Sequence, residues 1–212
     1  MSSVRTLGVT GGIGSGKSTV CNHLKRLGAI IFEADLVART MMESDCQVQQ
    51  EIMDYFGPES YHADRSLNRQ WLASQVFDHE DHLTKLNAIT HPRVAMSFHQ
   101  LKRESSSGLL VHEAALIYEA KLDHHLDAVC VVSTPDQVRI QRVVSRDGIS
   151  ADAVRARMRH QFPQHEIESK ADVVLINSGG PSLLHQKTRT LFHLAMSDDA
   201  LRSETFRLHR QL

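Results

Sequence analysis

Two glycines flank a four-residue gap, then come a lysine and a hydroxyl, at Gly11 to Ser18 of "VTGGIGSGKST". The spacing is that of a phosphate loop, G-x-x-x-x-G-K-[ST]. Glycines let the backbone curl so that successive N–H groups converge on phosphate oxygens. A helix opening near Lys17 would add the positive end of its dipole. Gly12, Ile13, Gly14, Ser15, Gly16, Lys17, Ser18 and Thr19 are therefore the expected phosphate binders. Lys17 would reach the β- and γ-phosphates, and the Ser18 hydroxyl would complete a magnesium shell made largely of phosphate oxygens and water. The plainer alternative is a glycine-rich turn matching by chance. The apolar run before it and the helical spacing after it argue against that, since strand and helix are the context the loop needs.

What is done with the phosphate depends on the acids and bases nearby. "FEAD" puts Glu33 and Asp35 at the carboxyl edge of a strand, where ligands bind in open α/β sheets. Alternation along the chain would aim the two carboxylates in similar directions. One of them would accept a proton from an attacking hydroxyl while the γ-phosphoryl is held in line. The other reading is that Asp35 caps a helix starting near Leu36. After "LLVH", Glu113 is the nearest carboxylate for a second-shell magnesium role, or else it pairs with a neighbouring Arg or Lys. "QRVVSRDG" sets Arg142 and Arg146 one helical turn apart, and Arg146, next to Gly148, is the cation expected to touch nucleotide. Arg155, Arg157 and Arg159 read as a solvated face. No N-K-x-D guanine reader occurs, and "DYFG" at Asp54 to Gly57 lies in a polar-helical stretch rather than after a strand. A switch GTPase is therefore disfavoured.

Five short apolar runs must position these groups: Val4 to Thr10, Ala29 to Phe32, Leu109 to His112, Ala128 to Ser133 and Val173 to Ile176. Helical patterns separate them, which predicts an α/β three-layer sandwich with a mainly parallel five-stranded sheet. From Lys17, the residues Val20, Leu24 and Leu27 keep helical spacing, and Gly28 sits where that helix would end. The gap between the second and third runs is far longer than one crossover helix needs. It carries helical patterns at Gln47 to Phe56, Gln70 to Val76 and Pro92 to Lys102, and reads as a helical insertion over 46–108. A second helical, Arg-rich segment, roughly Pro135 to Ala171, holds a lid at 137–170. The whole, 1–212, suits one domain. The tail "SDDALRSETFRLHRQL" reads as a charged surface helix.

A hydrophobic content of 41% supports a real core, and a net charge of -1 gives no basic field for nucleic acid. Cys21, Cys46 and Cys130 are odd in number and widely spaced, which argues against a disulfide framework and a zinc site. Paired histidines, His124 with His125 and His160 with His165, lack a sensible ligand set and read as loop residues. No run has the length of a signal-peptide core or a membrane span, so a cytoplasmic protein with no membrane partner is expected.

With these pieces in order, the chain resembles the dephospho-CoA kinases. The resemblance is carried by "LGVTGGIGSGKSTV", "EADLVAR", "SLNR", "KLNAITHPRV", "ALIYE", "QRVVSRDG" and "ADVVLINSG", which together span Leu7 to Gly179. It implies a nucleoside-monophosphate-kinase-like core, a helical CoA-binding insertion and a lid. The implied reaction moves the γ-phosphate of ATP, with Mg2+, to the ribose 3′-hydroxyl of dephospho-CoA. Carried over by position, Asp35 is the general base, Arg146 lies against adenine with Arg142 nearby, and Lys17 and Arg146 are catalytic. Glu33, Asp35, Arg39, Leu86, Asn87, His91, Pro92 and Arg93 would line or brace the acceptor side. For His91, directly before Pro92, the plainer role is to fix a helix start.

The chain departs from the family pattern in places. Glu33-Ala34-Asp35 stands where Asp-Ala-Asp is common, and Glu113-Ala114-Ala115-Leu116-Ile117 replaces a frequent D-x-P-L-L. Ile167 stands where a lysine is usual, with Lys170 about one helical turn away as a stand-in, and Ile176 where Asp is common before Asn177. Besides a kinase for dephospho-CoA, the residues alone leave open a phosphate-loop kinase for another small acceptor and a non-catalytic nucleotide switch.

Overall fold

The computed structural model describes residues 4–77, 79–106 and 108–197. The expected helix in the tail after Met196 lies, apart from Ser197, outside them. Among the described residues two compact units emerge, one formed by those up to Glu33 with those from Ser105 onward, and one by those from Ala34 to Glu104.

The first unit is built on strands β1 (Arg5–Thr10), β2 (Ile30–Glu33), β3 (Leu109–Glu113), β4 (Ala128–Ser133) and β5 (Val173–Ile176). They pair in the order β2-β3-β1-β4-β5, every neighbour parallel. The continuous apolar runs made this legible, because parallel strands are covered on both faces. One face packs against helices α1 (Lys17–Arg26) and, after β5, α9 (Pro181–Met196). Leu7, Val9, Val111, Cys130, Val132 and Leu175 meet Val20, Leu24, Leu184 and Leu191 there in one buried cluster. The opposite face carries the segment after β3: a Cβ placed on Gly8 would lie 2.7 Å from Leu126 and 2.9 Å from Ile117, and Thr10 Oγ1 donates to the Ala115 carbonyl. The Arg-rich segment forms α6 (Asp136–Asp147), α7 (Ala151–Met158) and α8 (Gln164–Lys170), all within the expected range.

The second unit is helical: α2 (Ala34–Ser44), α3 (Cys46–Phe56), α4 (Arg69–Phe77) and α5 (Glu80–Glu104). Val48, Ile52, Tyr61, Leu67, Leu72 and Ile89 form its own buried core, with Met41, Met53, Phe56, Trp71 and Leu86 against it. Asp45 caps α3, accepting from the N–H groups of Gln47 and Val48. This unit begins at Ala34, twelve positions before the insertion expected over 46–108, because α2 packs with α3 and α5.

Two expectations are corrected. A helix was expected to start at Pro92, but α5 runs from Glu80 to Glu104 with Pro92 inside it, so His91 marks no helix start. Proline removes one helical donor and crowds the preceding turn. The helix continues because Ile89, Thr90, Val94 and Phe98 bury on either side of it. Arg93 Nη1 also donates to the Ile89 carbonyl at 2.8 Å, supplying a bond beside the break. The second correction concerns "FEAD". Strand β2 ends at Glu33 and α2 starts at Ala34, so Glu33 and Asp35 do not share a strand and the alternation argument fails. Nor is Asp35 a cap before Leu36; it lies in the first turn of α2, where a carboxylate suits the helix dipole.

Candidate active site: the phosphate loop and its surroundings

β1 ends at Thr10, and the loop turns over Gly11 to Gly16 into α1. Gly16 is the N-cap residue in a left-handed conformation, no side chain caps the helix, and its first turn holds no acid. The opening N–H groups of α1 thus lack the side-chain acceptor that most helices provide. Such an end suits an anion. Lys17 folds back over the loop, its Nζ donating to the carbonyls of Gly11 at 2.7 Å and Gly12 at 3.4 Å.

The Ser18 hydroxyl donates to Glu113 Oε1 at 2.8 Å. Register explains the meeting: Glu113 is the last residue of β3 and pairs with Val9 of β1, just before the loop. Burial and the Glu113 carboxylate push the nearby Cys21 thiol far up, which leaves it unreactive. Cys21, Cys46 and Cys130 are all free thiols.

Sequence reasoning missed the residues that hold the loop from behind. Arg139 of α6 is buried, only 4% exposed, and its Nε donates to the Ile13 carbonyl at 3.0 Å. Its Nη1 donates to Asp136 Oδ1 at 2.8 Å and Gln164 Oε1 at 3.4 Å. Burial lowers the Arg139 pKa, and Asp136 opposes that shift. The Ile13 N–H donates to Gln161 Oε1 at 2.9 Å. The Ser15 carbonyl accepts from Asn177 Nδ2 at 2.8 Å and from Thr134 Oγ1 at 3.0 Å, both side chains buried. "INSG" was noted as a motif without a role for Asn177. An arginine flanked by valine and isoleucine, in "QVRIQ", was the available signal for Arg139.

The cations of the 135–171 segment fall in two groups. Arg142 approaches the loop, its Nη1 3.9 Å from where a Cβ on Gly16 would sit. Arg146, expected on a nucleotide, is exposed and forked onto Asp147, at 2.7 Å from Nε and 3.0 Å from Nη2. Arg157 also approaches Asp147, at 3.6 Å. Ile167 is buried in α8, and Lys170 bonds Glu166 at 2.7 Å with its ammonium 4.7 Å from the Phe162 ring centroid.

In the helical unit, α5 gathers Leu86, Asn87, His91, Pro92 and Arg93 within two turns. Leu86 packs on the core, while Arg93 bonds Glu51 at 2.6 Å. The His91 imidazole is held below its usual pKa by the surrounding protein, and the Asp35 carboxylate pulls the other way. That opposition puts Asp35 of α2 in electrostatic reach of His91, a pairing the sequence did not announce. Arg39 is exposed on α2.

The sequence profile of the dephospho-CoA kinase family matches residues 5–182. A dephospho-CoA kinase of Salinibacter ruber is 45% identical over 190 residues, covering 88% of this chain and 96% of that protein. One from Chlorobium chlorochromatii is 36% identical, covering 92% and 96%. Among solved structures, Thermus thermophilus TT1252 aligns with a TM-score of 0.81 at 31% identity, over 93% of this chain and all of that one. A shikimate kinase of Acinetobacter baumannii, at 14% identity and a TM-score of 0.52 over 92% and 95% of the two chains, shares the fold. Loop, register and kinship agree, and the chain belongs to the dephospho-CoA kinase family.

Proposed function

We propose that this protein transfers the γ-phosphoryl group of ATP to the ribose 3′-hydroxyl of dephospho-CoA, giving coenzyme A and ADP. The observation that carries the reading is the uncapped start of α1 behind Gly16, with the Ser18 hydroxyl on Glu113, in a chain of that family. The phosphate loop cradles the β- and γ-phosphates, and Lys17 exchanges the Gly11 and Gly12 carbonyls for phosphate oxygens. Asp35 accepts the proton of the 3′-hydroxyl as its oxygen attacks the γ-phosphorus. The bond from that phosphorus to the β,γ-bridging oxygen breaks, and ADP leaves with the electron pair.

Magnesium fits the donors present, since the Ser18 hydroxyl and the Glu113 carboxylate are hard oxygens in direct contact. Ser18 would ligate the ion and Glu113 would orient that ligand; bound there, Mg2+ supplies charge neutralisation on the phosphates. In the lid, 137–170, Arg146 leaves Asp147 for the adenine, and Arg142 stays nearby. The helical insertion receives the CoA portion, with Glu33, Arg39, Leu86, Asn87, His91, Pro92 and Arg93 lining or bracing it. The setting is the cytoplasm, where ATP and dephospho-CoA are the partners and neither nucleic acid nor membrane is needed. Among the described residues no helix is long and apolar enough to cross a membrane.

A coupled ADP-release assay with magnesium-ATP and dephospho-CoA, run on wild type and Asp35→Asn, tests this. Wild type should turn over robustly, and Asp35→Asn should bind ATP but lose roughly a hundredfold in turnover, within the range of general-base catalysis. Folded wild type that binds ATP yet leaves dephospho-CoA untouched would remove the acceptor. Near-normal Asp35→Asn rates would remove the base.

A further inference from the structure

The loop's tip is a tight turn, in which the Ser15 N–H donates to the Gly12 carbonyl at 3.1 Å. Ile13 and Gly14 form its corner, and Gly14 has φ 78°, the value the third residue of a type II turn requires. From α1, Lys17 Nζ reaches the Gly12 carbonyl of that turn at a long 3.4 Å. Both polar groups of Ile13 itself are taken by the Arg-rich segment: the carbonyl by Arg139 Nε and the N–H by Gln161 Oε1. Arg139 is in turn held by Asp136 and Gln164.

The fit around this guanidinium is close. A Cβ on Gly12 would fall 1.9 Å from Arg139 Nη2 and 2.3 Å from its Cζ. One on Gly14 would fall 2.6 Å from the Arg139 carbonyl. The two glycines at the turn are thus shaped to α6, while the N-cap glycine, Gly16, faces Asn177.

We propose that Arg139 is a positioning residue for phosphoryl transfer: acting through Ile13, it and Gln161 fix the phosphate loop in the conformation that receives ATP. A buried, planar donor held at both ends sets the peptide plane before nucleotide arrives, so the loop need not reorganise on binding. Because Arg139, Gln161 and Gln164 all come from the 135–171 segment, the segment carrying Arg142 and Arg146 is built onto the loop it serves. This rests on the reading of the loop as an ATP site, but not on the identity of the acceptor.

The test measures ATP affinity by titration calorimetry without acceptor, alongside KM for ATP, KM for dephospho-CoA, kcat and Tm, on wild type, Arg139→Gln, Arg139→Lys and Gln161→Leu. Arg139→Gln should weaken ATP binding about tenfold or more, the scale on which small misplacement of a site costs activity. KM for dephospho-CoA should stay within about twofold, because only the loop is displaced. Arg139→Lys, which keeps the charge and loses the fork, should recover part of the affinity, and Gln161→Leu should cost about threefold. A lowered Tm with ATP affinity within about twofold of wild type would leave Arg139 a packing residue and overturn the proposal. Should Arg139→Gln fail to fold, wild-type affinity in both Arg139→Lys and Gln161→Leu would overturn it equally. Wild type that binds ATP but ignores dephospho-CoA would refute the acceptor alone.

Discussion

Acidification should weaken the sheet unit through His112. This residue is 3% exposed, next to last in β3, with its ring centroid 5.3 Å from that of Phe32. Burial lowers its pKa to about 4 from an ordinary 6.5. The folded chain therefore binds this proton more weakly than the unfolded chain does. The stability is present above about pH 6.5 and is lost as pH falls toward 4, where both states become protonated. The full span corresponds to about 3 kcal/mol, of which about 2 kcal/mol is gone by pH 5. For a chain of this size that is a fall in Tm of roughly 4–8 °C. Urea unfolding between pH 7 and 5 measures it, comparing wild type with His112→Gln. His23 and His91 also have lowered pKa values and add slope of the same sign, but they are common to both proteins. The readout is the difference in slope, which is independent of how much His112→Gln changes stability at neutral pH. Equal slopes for the two proteins would refute the claim that His112 is held neutral by the core.

Two further substitutions probe the loop. Glu113→Gln keeps an acceptor for Ser18 but removes the carboxylate, so magnesium-dependent turnover should fall about ten- to a hundredfold with Tm little changed; an unaltered magnesium titration would exclude Glu113 from the metal's surroundings. Gly12→Ala forces the Arg139 guanidinium out of its place and should cost about 3–5 kcal/mol, the scale for breaking a buried charged contact. Arg139→Gln in the Gly12→Ala background should restore part of the lost Tm, and strict additivity of the two changes would show that the clash is not with Arg139.

The elements around the site were readable because their signals are local. β4 and β5 occupy Ala128–Ser133 and Val173–Ile176, the runs singled out by composition. A continuous β-branched run buried on both faces admits few other interpretations. Gly11 to Ser18 was readable for the same reason: a backbone that must curl around an anion demands glycine at fixed positions. Local signals misled where packing overrode them. Pro92 looked like a helix start, yet the contacts of Ile89, Val94 and Phe98 carry α5 through it. "FEAD" looked like the end of one strand, yet the chain turns helical at Ala34.

The sequence by itself carried the phosphate-loop pattern, the residues that make it, and the kind of sheet at whose edge it lies. It also carried enough family-specific residues to indicate dephospho-CoA kinase kinship. Only the tertiary structure decided which side chains complete the loop. Arg139 lies 126 positions from Ile13, and Asn177 lies 162 from Ser15. The Ser18–Glu113 contact spans 95 positions and exists because β1 and β3 pair in parallel. Motifs register the constraints a residue places on its own backbone. Contacts across such separations depend on the register of strands and the seating of helices, which no single stretch of residues specifies.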